Sequence, residues 1–201
     1  MLKVGLTGGL ACGKSFVAEA FAGWGCLVIH ADELGHAVLA RGGEAHDAVV
    51  REFGEGILTE AGEIDRRALA ARVFGAPEEL TRLNALVHPP VVRKEEEIAA
   101  EFAGRDPHGI VVVEAAILIE TGSYTRFDKI VLVTCAEEQQ IERAMRRQGA
   151  VDSDVRARLA RQMPIAEKQK FADFVIDTSG SKEETVGQTR KVYDALRRIE
   201  Q

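Results

Sequence analysis

Near the N-terminus, eight consecutive residues have the types and the spacing that bind phosphate groups. They satisfy the pattern G-x-x-x-x-G-K-[ST] and read Gly8-Gly9-Leu10-Ala11-Cys12-Gly13-Lys14-Ser15. The glycines let such a loop curl so that backbone N–H groups face phosphate oxygens, and the positive end of the next helix points at the same place. Lys14 can reach the β- and γ-phosphates, and the Ser15 hydroxyl can ligate Mg²⁺. Because the motif stands between a strand-like run and a helical pattern, we predict a phosphate-binding loop that extends through Phe16.

This loop is compatible with phosphoryl transfer to a small molecule, with a nucleotide-controlled switch and with an ATPase motor. A guanine-specific switch would need an Asn/Thr-Lys-x-Asp motif, and the sequence contains none. Asp177-Thr178-Ser179-Gly180 has the form D-x-x-G, but it follows the last apolar run, and we interpret the match as accidental. A motor generally needs partner subunits or a second domain. A transferase needs an acceptor site and a cover against water, and further segments of this chain can supply both.

Three charged residues are candidates for the transfer step. Asp32 follows the second strand-like run, where a carboxylate could accept the proton of an attacking hydroxyl, or could cap a helix. Arg143 and Arg147 lie four residues apart and therefore on one face of a helix. They could fold over the triphosphate, or they could be surface residues bonded to Glu142 or water.

Further residues have two interpretations each. Glu114 ends a buried strand, where a charge is costly without a partner, which favours a functional carboxylate. His88 precedes Pro89 and could contact an acceptor or mark the end of a helix. Arg66 could hold an anionic part of the acceptor or pair with Glu63.

Composition narrows the class of protein. The chain has 201 residues, of which 46% are hydrophobic, and a formal net charge of −6, which argues against a nucleic-acid or membrane surface. The apolar runs are too short to span a bilayer, and the first residues lack the order of a signal peptide. Three widely spaced cysteines indicate neither a disulfide framework nor a zinc site, so we predict a cytoplasmic protein. Cys12, at the start of a helix, is in a setting that tends to favour a thiolate, but we favour its interpretation as an inert small residue.

Five short apolar runs alternate with helical patterns and predict an α/β fold with a five-stranded parallel sheet flanked by helices. The runs are Leu2 to Leu6, Leu27 to Ile29, Ile110 to Val113, Ile130 to Val133 and Phe174 to Ile176. Residues 1–31, 108–145 and 172–201 form the predicted nucleotide-binding core. Residues 32–107 form a helical, acceptor-binding insertion, in which His88-Pro89-Pro90 separates two helices, Glu78 to Val87 and Val91 to Phe102. The polar, basic stretch 146–171 is the predicted lid.

Over nearly its whole length the sequence resembles the dephospho-coenzyme A kinases, P-loop kinases that phosphorylate a ribose 3′-hydroxyl in the last step of coenzyme A synthesis. The resemblance rests on the opening Val4 to Gly9 with Gly13-Lys14-Ser15, Ala31-Asp32, Ile64-Asp65-Arg66, His88-Pro89, Ile117-Leu118 with Glu120, Arg143 with Arg147, Arg158 with Gln162, and Ala172-Asp173. It implies an adenylate-kinase-like P-loop NTPase fold, with ATP and dephospho-coenzyme A as small-molecule substrates and Mg²⁺ as cofactor. It further implies that Asp32 faces the acceptor and that Arg66, His88, Glu114 and Leu118 help to bind it. The oligomeric state stays open, and a monomer is compatible with the sequence.

The chain departs from the family pattern at several positions. Ala11-Cys12 stands where the family usually has Gly-Ser, and Glu114 stands where it usually has Asp. Glu114 keeps a carboxylate with a longer reach. A side chain at position 11 is expected to crowd a loop that glycine opens to close backbone approach, which would weaken nucleotide binding.

Overall fold

The structure is a computed structural model that describes residues 1–148, 151–160 and 162–200. The side chains of residues 147, 148, 153 and 154 are outside this description.

Five parallel strands form a single sheet in the order β2-β3-β1-β4-β5. Their bounds are β1 Leu2–Gly8, β2 Leu27–His30, β3 Ile110–Glu114, β4 Lys129–Thr134 and β5 Phe174–Asp177. The strand that leads into the phosphate-binding loop lies at the centre, since β1 pairs with β3 on one side and with β4 on the other. The α/β prediction with five parallel strands is therefore confirmed, and each strand extends one or two residues beyond its predicted run.

Nine α-helices lie within the described residues. They are α1 Lys14–Gly23, α2 Ala31–Leu39, α3 His46–Phe53, α4 Arg66–Val73, α5 Pro77–Arg105, α6 Glu137–Gln148, α7 Asp152–Leu159, α8 Ile165–Lys168 and α9 Lys182–Glu200, with short 3₁₀ helices at Glu55–Ile57, Ser123–Arg126 and Gln169–Phe171. None of the helices in this part of the chain is both long enough and apolar enough to cross a membrane.

The described chain divides into two compact units, each with its own apolar core. The first unit comprises residues 1–30 and 101–200, and its core is built from the strands together with α1 and α9. Val4, Leu6, Val112 and Val131 are fully buried in it, because helices cover both faces of a parallel sheet. The second unit comprises residues 31–100 and packs apolar residues of α2 to α5 into a separate cluster.

The predicted break at the two prolines is wrong. α5 continues without interruption from Pro77 to Arg105 and contains Pro89 and Pro90 in its interior. Each proline removes one backbone hydrogen bond, at a cost of about 3 kcal/mol. Apolar side chains on both sides of them, Leu86, Val87 and Val91, pack against the core of the second unit. This packing favours a helix that continues through the prolines.

Candidate active site

Polar residues end four of the five strands at the carboxyl edge of the sheet, where open parallel sheets bind ligands. His30 ends β2 and pairs in register with Glu114 at the end of β3, while Thr134 of β4 pairs with Asp177 of β5. The central strand ends at Gly8, where the phosphate-binding loop begins. A Cβ atom at Gly8 would collide with the carbonyl oxygen of Val133. Glycine is therefore required here for β1 to lie against β4.

The loop curls as the motif predicts. The N–H of Cys12 donates to the Gly9 carbonyl at 3.4 Å, and Gly13 adopts a φ of 81° directly before α1. Ala11 has a φ of 54°, which is the only positive φ of a non-glycine residue in the described chain. The first turn of α1 carries N–H groups that have no carbonyl partner within the helix, so it can bind an anion.

Two side chains hold the loop in this shape. The Lys14 ammonium donates to the carbonyls of Gly8 at 3.3 Å and Gly9 at 3.0 Å. The amide oxygen of Gln162 accepts the N–H of Leu10 at 2.9 Å. Lys14 thus lies over the loop, where a phosphate would be bound, and Gln162 fastens the loop to the segment before α8.

A hydroxyl and a carboxylate meet at the start of α1. Ser15 Oγ donates to Glu114 Oε1 at 3.1 Å, and His30 Nδ1 lies 2.7 Å from Glu114 Oε2. The Glu114 side chain is only 11% exposed, so both of its oxygens are used at a largely buried position. The partner that the buried charge requires is therefore present. His30 was not predicted as a site residue, although its position at the end of a strand next to β3 is a usable signal.

A cavity of about 550 Å³ lies beside the loop, within the first unit. Ala11, Gly13, Ser15 and Phe16 line one side, and Arg143, Arg146, Thr178, Gly180, Lys182 and Thr185 line the rest. A cavity of this volume is typical of small-molecule sites.

Arg143 is fixed at the edge of the cavity. Its guanidinium donates to Thr178 Oγ1 at 3.0 Å and to the Thr178 carbonyl at 2.8 Å. The interpretation of Arg143 as a surface residue paired with Glu142 is wrong, because Glu142 pairs with Arg146 instead. Thr178 was missed as a site residue because we interpreted its motif as accidental, yet it bonds the Cys12 carbonyl at 2.8 Å.

Similar proteins decide the family. A family model described as dephospho-CoA kinase matches residues 2–184. The chain belongs to the dephospho-CoA kinase family. The dephospho-CoA kinase of Aquifex aeolicus is 41% identical to it over 198 residues, which cover 98% of this chain and 99% of the relative.

Solved structures agree with this family. One of a Thermus thermophilus protein has a TM-score of 0.83 at 36% identity and covers 96% of both chains. The dephospho-CoA kinase from Campylobacter jejuni has a TM-score of 0.71 at 26% identity, with 99% of this chain and 98% of that chain covered. The resemblance inferred from sequence motifs is therefore confirmed.

Within the first unit of this dephospho-CoA kinase family member, a buried ion pair connects the segment before β5 to the segment after β3. Lys168 is fully buried, and its ammonium lies 2.7 Å from Glu120 Oε1 and 3.2 Å from the Ala116 carbonyl. The N–H of Met163 also donates to Glu120 Oε1, at 3.3 Å. Together with the Gln162 contact, these bonds fix residues 162–168, which belong to the predicted lid, beside the loop.

Three predicted acceptor residues lie in the second unit. Asp32 is exposed and is the second residue of α2, so it is not the helix cap that we considered as the alternative. Arg66 is exposed at the start of α4, and in the described chain Glu63 accepts the N–H of Arg41 instead of pairing with Arg66. His88 lies inside α5, so it does not mark a helix end, and burial lowers its pKa.

Two further predicted residues need separate comment. Leu118 belongs to the first unit and is 6% exposed, next to Gly5 of β1. Its part in acceptor binding stays a prediction. The side chain of Arg147 is outside the described residues, so its predicted role over the triphosphate also stays a prediction.

Of the two interpretations of Cys12, the thiolate is wrong. A hydrogen bond with Cys135 and burial raise the pKa of the Cys12 thiol above its ordinary value. The same hydrogen bond, helped by the nearby Arg143 and Thr178, lowers the pKa of Cys135 below its ordinary value. The position of Cys12 at a helix start favours a lowered pKa. The effect of Cys135 could not be read from the local sequence, because the two cysteines are 123 residues apart.

Proposed function

We propose that this protein transfers the γ-phosphate of ATP to the ribose 3′-hydroxyl of dephospho-coenzyme A, giving coenzyme A and ADP. The observation that carries the proposal is the loop, in which Lys14 and the start of α1 adjoin the Ser15–Glu114 contact and a nucleotide-sized cavity. Family membership supplies the identity of the acceptor, which the geometry of the loop does not distinguish from other hydroxyls.

Two regions of the site bind different parts of ATP. The amides at the start of α1 and the Lys14 ammonium bind the β- and γ-phosphates. The nucleoside part occupies the cavity between the loop and the turn that follows β5. Arg143 is already fixed there by Thr178, so its charge is available without further ordering as negative charge develops on the transferring group.

The residues around Ser15 fit Mg²⁺. This ion prefers hydroxyl, carboxylate, phosphate and water oxygens, and Ser15 Oγ and Glu114 Oε1 lie 3.1 Å apart at the phosphate end of the loop. Within the described residues no cluster of three or more His, Cys, Asp or Glu side chains could hold a metal. Ser15 would therefore bind the ion together with the phosphates, and Glu114 would hold it directly or through water. When bound, the ion neutralises charge on the β- and γ-phosphates.

Asp32 is assigned to the acceptor hydroxyl. Its carboxylate takes the proton as the hydroxyl oxygen bonds to the γ-phosphorus, while the bond from that phosphorus to the bridging oxygen breaks and ADP leaves. Arg66 and His88 of the second unit, with Leu118, contribute to acceptor binding, and residues 32–107 serve as the acceptor-binding insertion. Arg147 joins Arg143 over the triphosphate. We place this activity in the cytoplasm, where ATP is abundant and free thiols, such as the three in this structure, are the usual state of cysteine.

The substrate is tested by measuring ADP release with Mg-ATP and a panel of dephospho-coenzyme A, AMP, CMP and uridine. We expect rapid release with dephospho-coenzyme A alone. Equal release without any acceptor would point to a switch or motor, and release with another acceptor would point to a different small-molecule kinase.

The assignment of Asp32 is tested with Asp32→Asn. We expect turnover to fall by about 10²- to 10⁴-fold, because the hydroxyl loses its proton acceptor, while ATP affinity stays within about twofold. Glu33→Gln is the matched control, since Glu33 is also an exposed carboxylate in the first turn of α2. Normal turnover of Asp32→Asn would remove Asp32 from the mechanism.

A further inference from the structure

Two thiols that are distant in sequence are in contact at the phosphate-binding loop. Cys12 Sγ and Cys135 Sγ lie 3.5 Å apart, and both cysteines are free thiols. Cys12 belongs to the loop and is fully buried, while Cys135 directly follows β4 and is 8% exposed. The third cysteine, Cys26, is also buried but precedes β2. One thiol of the pair therefore belongs to the loop, although phosphate binding uses the backbone N–H groups, Lys14 and Ser15 and does not need a thiol.

The surroundings make the pair unequal. The hydrogen bond with Cys12 and the nearby Arg143 and Thr178 lower the pKa of Cys135 below the ordinary value of a thiol, so Cys135 is the more readily deprotonated member of the pair. Thiolates are the reactive form of cysteine towards oxidants. Cys12 keeps its proton and lies within contact of the Cys135 sulfur. One sulfur is thus suited to react first and the other to follow.

We propose that Cys12 and Cys135 are a modification site at which a peroxide-class oxidant forms a reversible disulfide that closes the loop to nucleotide. In the first step the Cys135 sulfur attacks one peroxide oxygen, the O–O bond breaks, and a sulfenic acid and one water form. In the second step the Cys12 sulfur attacks the Cys135 sulfur, the S–O bond breaks, and a second water leaves with the Cys12 proton. Two thiols are oxidised to a disulfide, and hydrogen peroxide is reduced to two waters.

The disulfide must distort the loop. Its sulfur atoms would lie about 2.05 Å apart, so they must approach each other by more than an ångström from their present positions. Cys12 is flanked by Ala11, which already has a strained positive φ, and by Gly13, which leads into α1. Because the N–H groups of these residues must point at phosphate oxygens, movement of Cys12 towards β4 turns them away from the triphosphate. Reduction by a dithiol restores the original curl.

The test uses the full-length reduced protein treated with hydrogen peroxide. Intact mass and peptide mapping detect the bond directly, and equilibrium titration with Mg-ATP measures affinity without any acceptor. We expect loss of two hydrogens, a peptide that links Cys12 to Cys135, and an ATP affinity at least tenfold weaker that dithiothreitol restores. Because bond formation is measured apart from turnover, failure of the assigned kinase reaction would leave this result unaffected.

Variants of Cys135 and Cys26 distinguish the effect of the disulfide from the effect of general oxidation. Cys135→Ala and Cys135→Ser should keep their ATP affinity at the same peroxide dose, because no disulfide can form. After peroxide treatment, Cys26→Ala should lose ATP affinity to the same extent as the wild-type protein, because it keeps both members of the pair. The proposal is overturned if no linked peptide forms, if the linked protein binds ATP normally, or if both Cys135 variants lose affinity equally.

Discussion

At the scale of single residues, Ala11 carries backbone strain within the phosphate-binding loop. A left-handed conformation costs an L-residue roughly 1–2 kcal/mol, and Ala11 adopts it with a φ of 54°. Its methyl group packs against the small apolar cluster of Ile141, Ala144 and Val155. The sequence predicted crowding at this position. The strain lies in the backbone dihedral, and packing of the methyl group offsets part of it.

Substitutions at Ala11 should separate backbone strain from packing. Ala11→Gly should stay within about 1 kcal/mol of the wild-type free energy of unfolding, since relief of strain is offset by the lost methyl contact and by greater chain entropy. Ala11→Val should destabilise by about 2 kcal/mol or more, because a β-branched residue tolerates positive φ poorly. Urea unfolding measures both. Ala22→Val, at an exposed helical position, is the control and should cost only about 0.6 kcal/mol.

Residue roles could be predicted where a local motif carries the chemistry. The curl of the loop around Lys14 and Ser15 was predicted this way, because eight consecutive residues determine it. The phosphate and Mg²⁺ roles of the two side chains stay predictions. Thr178 and His30 were missed, and so was the contact between Cys12 and Cys135. Each of these depends on a contact made across the sheet edge, and a single sequence carries no pairing information for such contacts.

At the scale of elements, α5 shows local propensity overruled by packing. Pro89 is exposed, so its ring contributes little to the core, whereas Pro90 is buried. The missing N–H of Pro89 leaves the Ala85 carbonyl without its helical partner.

Pro89→Ala should therefore stabilise the protein by about 1–3 kcal/mol, because it restores the hydrogen bond and removes the clash of the ring with the preceding turn. Urea unfolding is the measurement. Pro77→Ala is the matched control, because proline at the first position of a helix lacks only an N–H that has no partner there. An equal increase in the free energy of unfolding for Pro77→Ala and Pro89→Ala would contradict this account of α5.

The ion pair between α8 and the segment after β3 gives a second prediction at this scale. Lys168→Met should destabilise by about 3–5 kcal/mol, because Glu120 is left largely buried without its charge partner. The double variant Lys168→Met/Glu120→Leu should recover most of this loss, since neither charge remains. Urea unfolding of the single and double variants tests the coupling.

Lys170→Met provides the comparison for that pair. Lys170 and Glu167 form an exposed ion pair, with side chains 66% and 52% accessible, so its loss should cost less than about 1 kcal/mol. Equal costs for Lys168→Met and Lys170→Met would show that burial does not govern the pair. The bonds of Lys168 and Gln162 also lead us to expect that closure of the predicted lid leaves residues 162–168 in place.

At the scale of the whole molecule, the sequence predicted a core with an inserted helical region because about eighty residues separate two strands that need a much shorter crossover. The structure divides the described chain at residues 30/31 and 100/101, close to those limits. Loop, cavity and thiol pair all belong to the first unit. Asp32, Arg66 and His88 belong to the second, so each substrate is assigned mainly to one unit.

Hydrogen exchange with each substrate alone tests this division of labour. At a concentration of 100 times its Kd, Mg-ATP should raise the free energy of unfolding by about 2.7 kcal/mol and slow exchange in the loop and in residues 178–185. Dephospho-coenzyme A should slow exchange mainly within residues 31–100. Lys14→Ala should abolish the protection by Mg-ATP and keep the protection by the acceptor, because the lysine belongs to the phosphate-binding loop of the first unit. If the acceptor protected only the first unit, residues 31–100 would not be its binding region, and the roles proposed for Arg66 and His88 would fail with it.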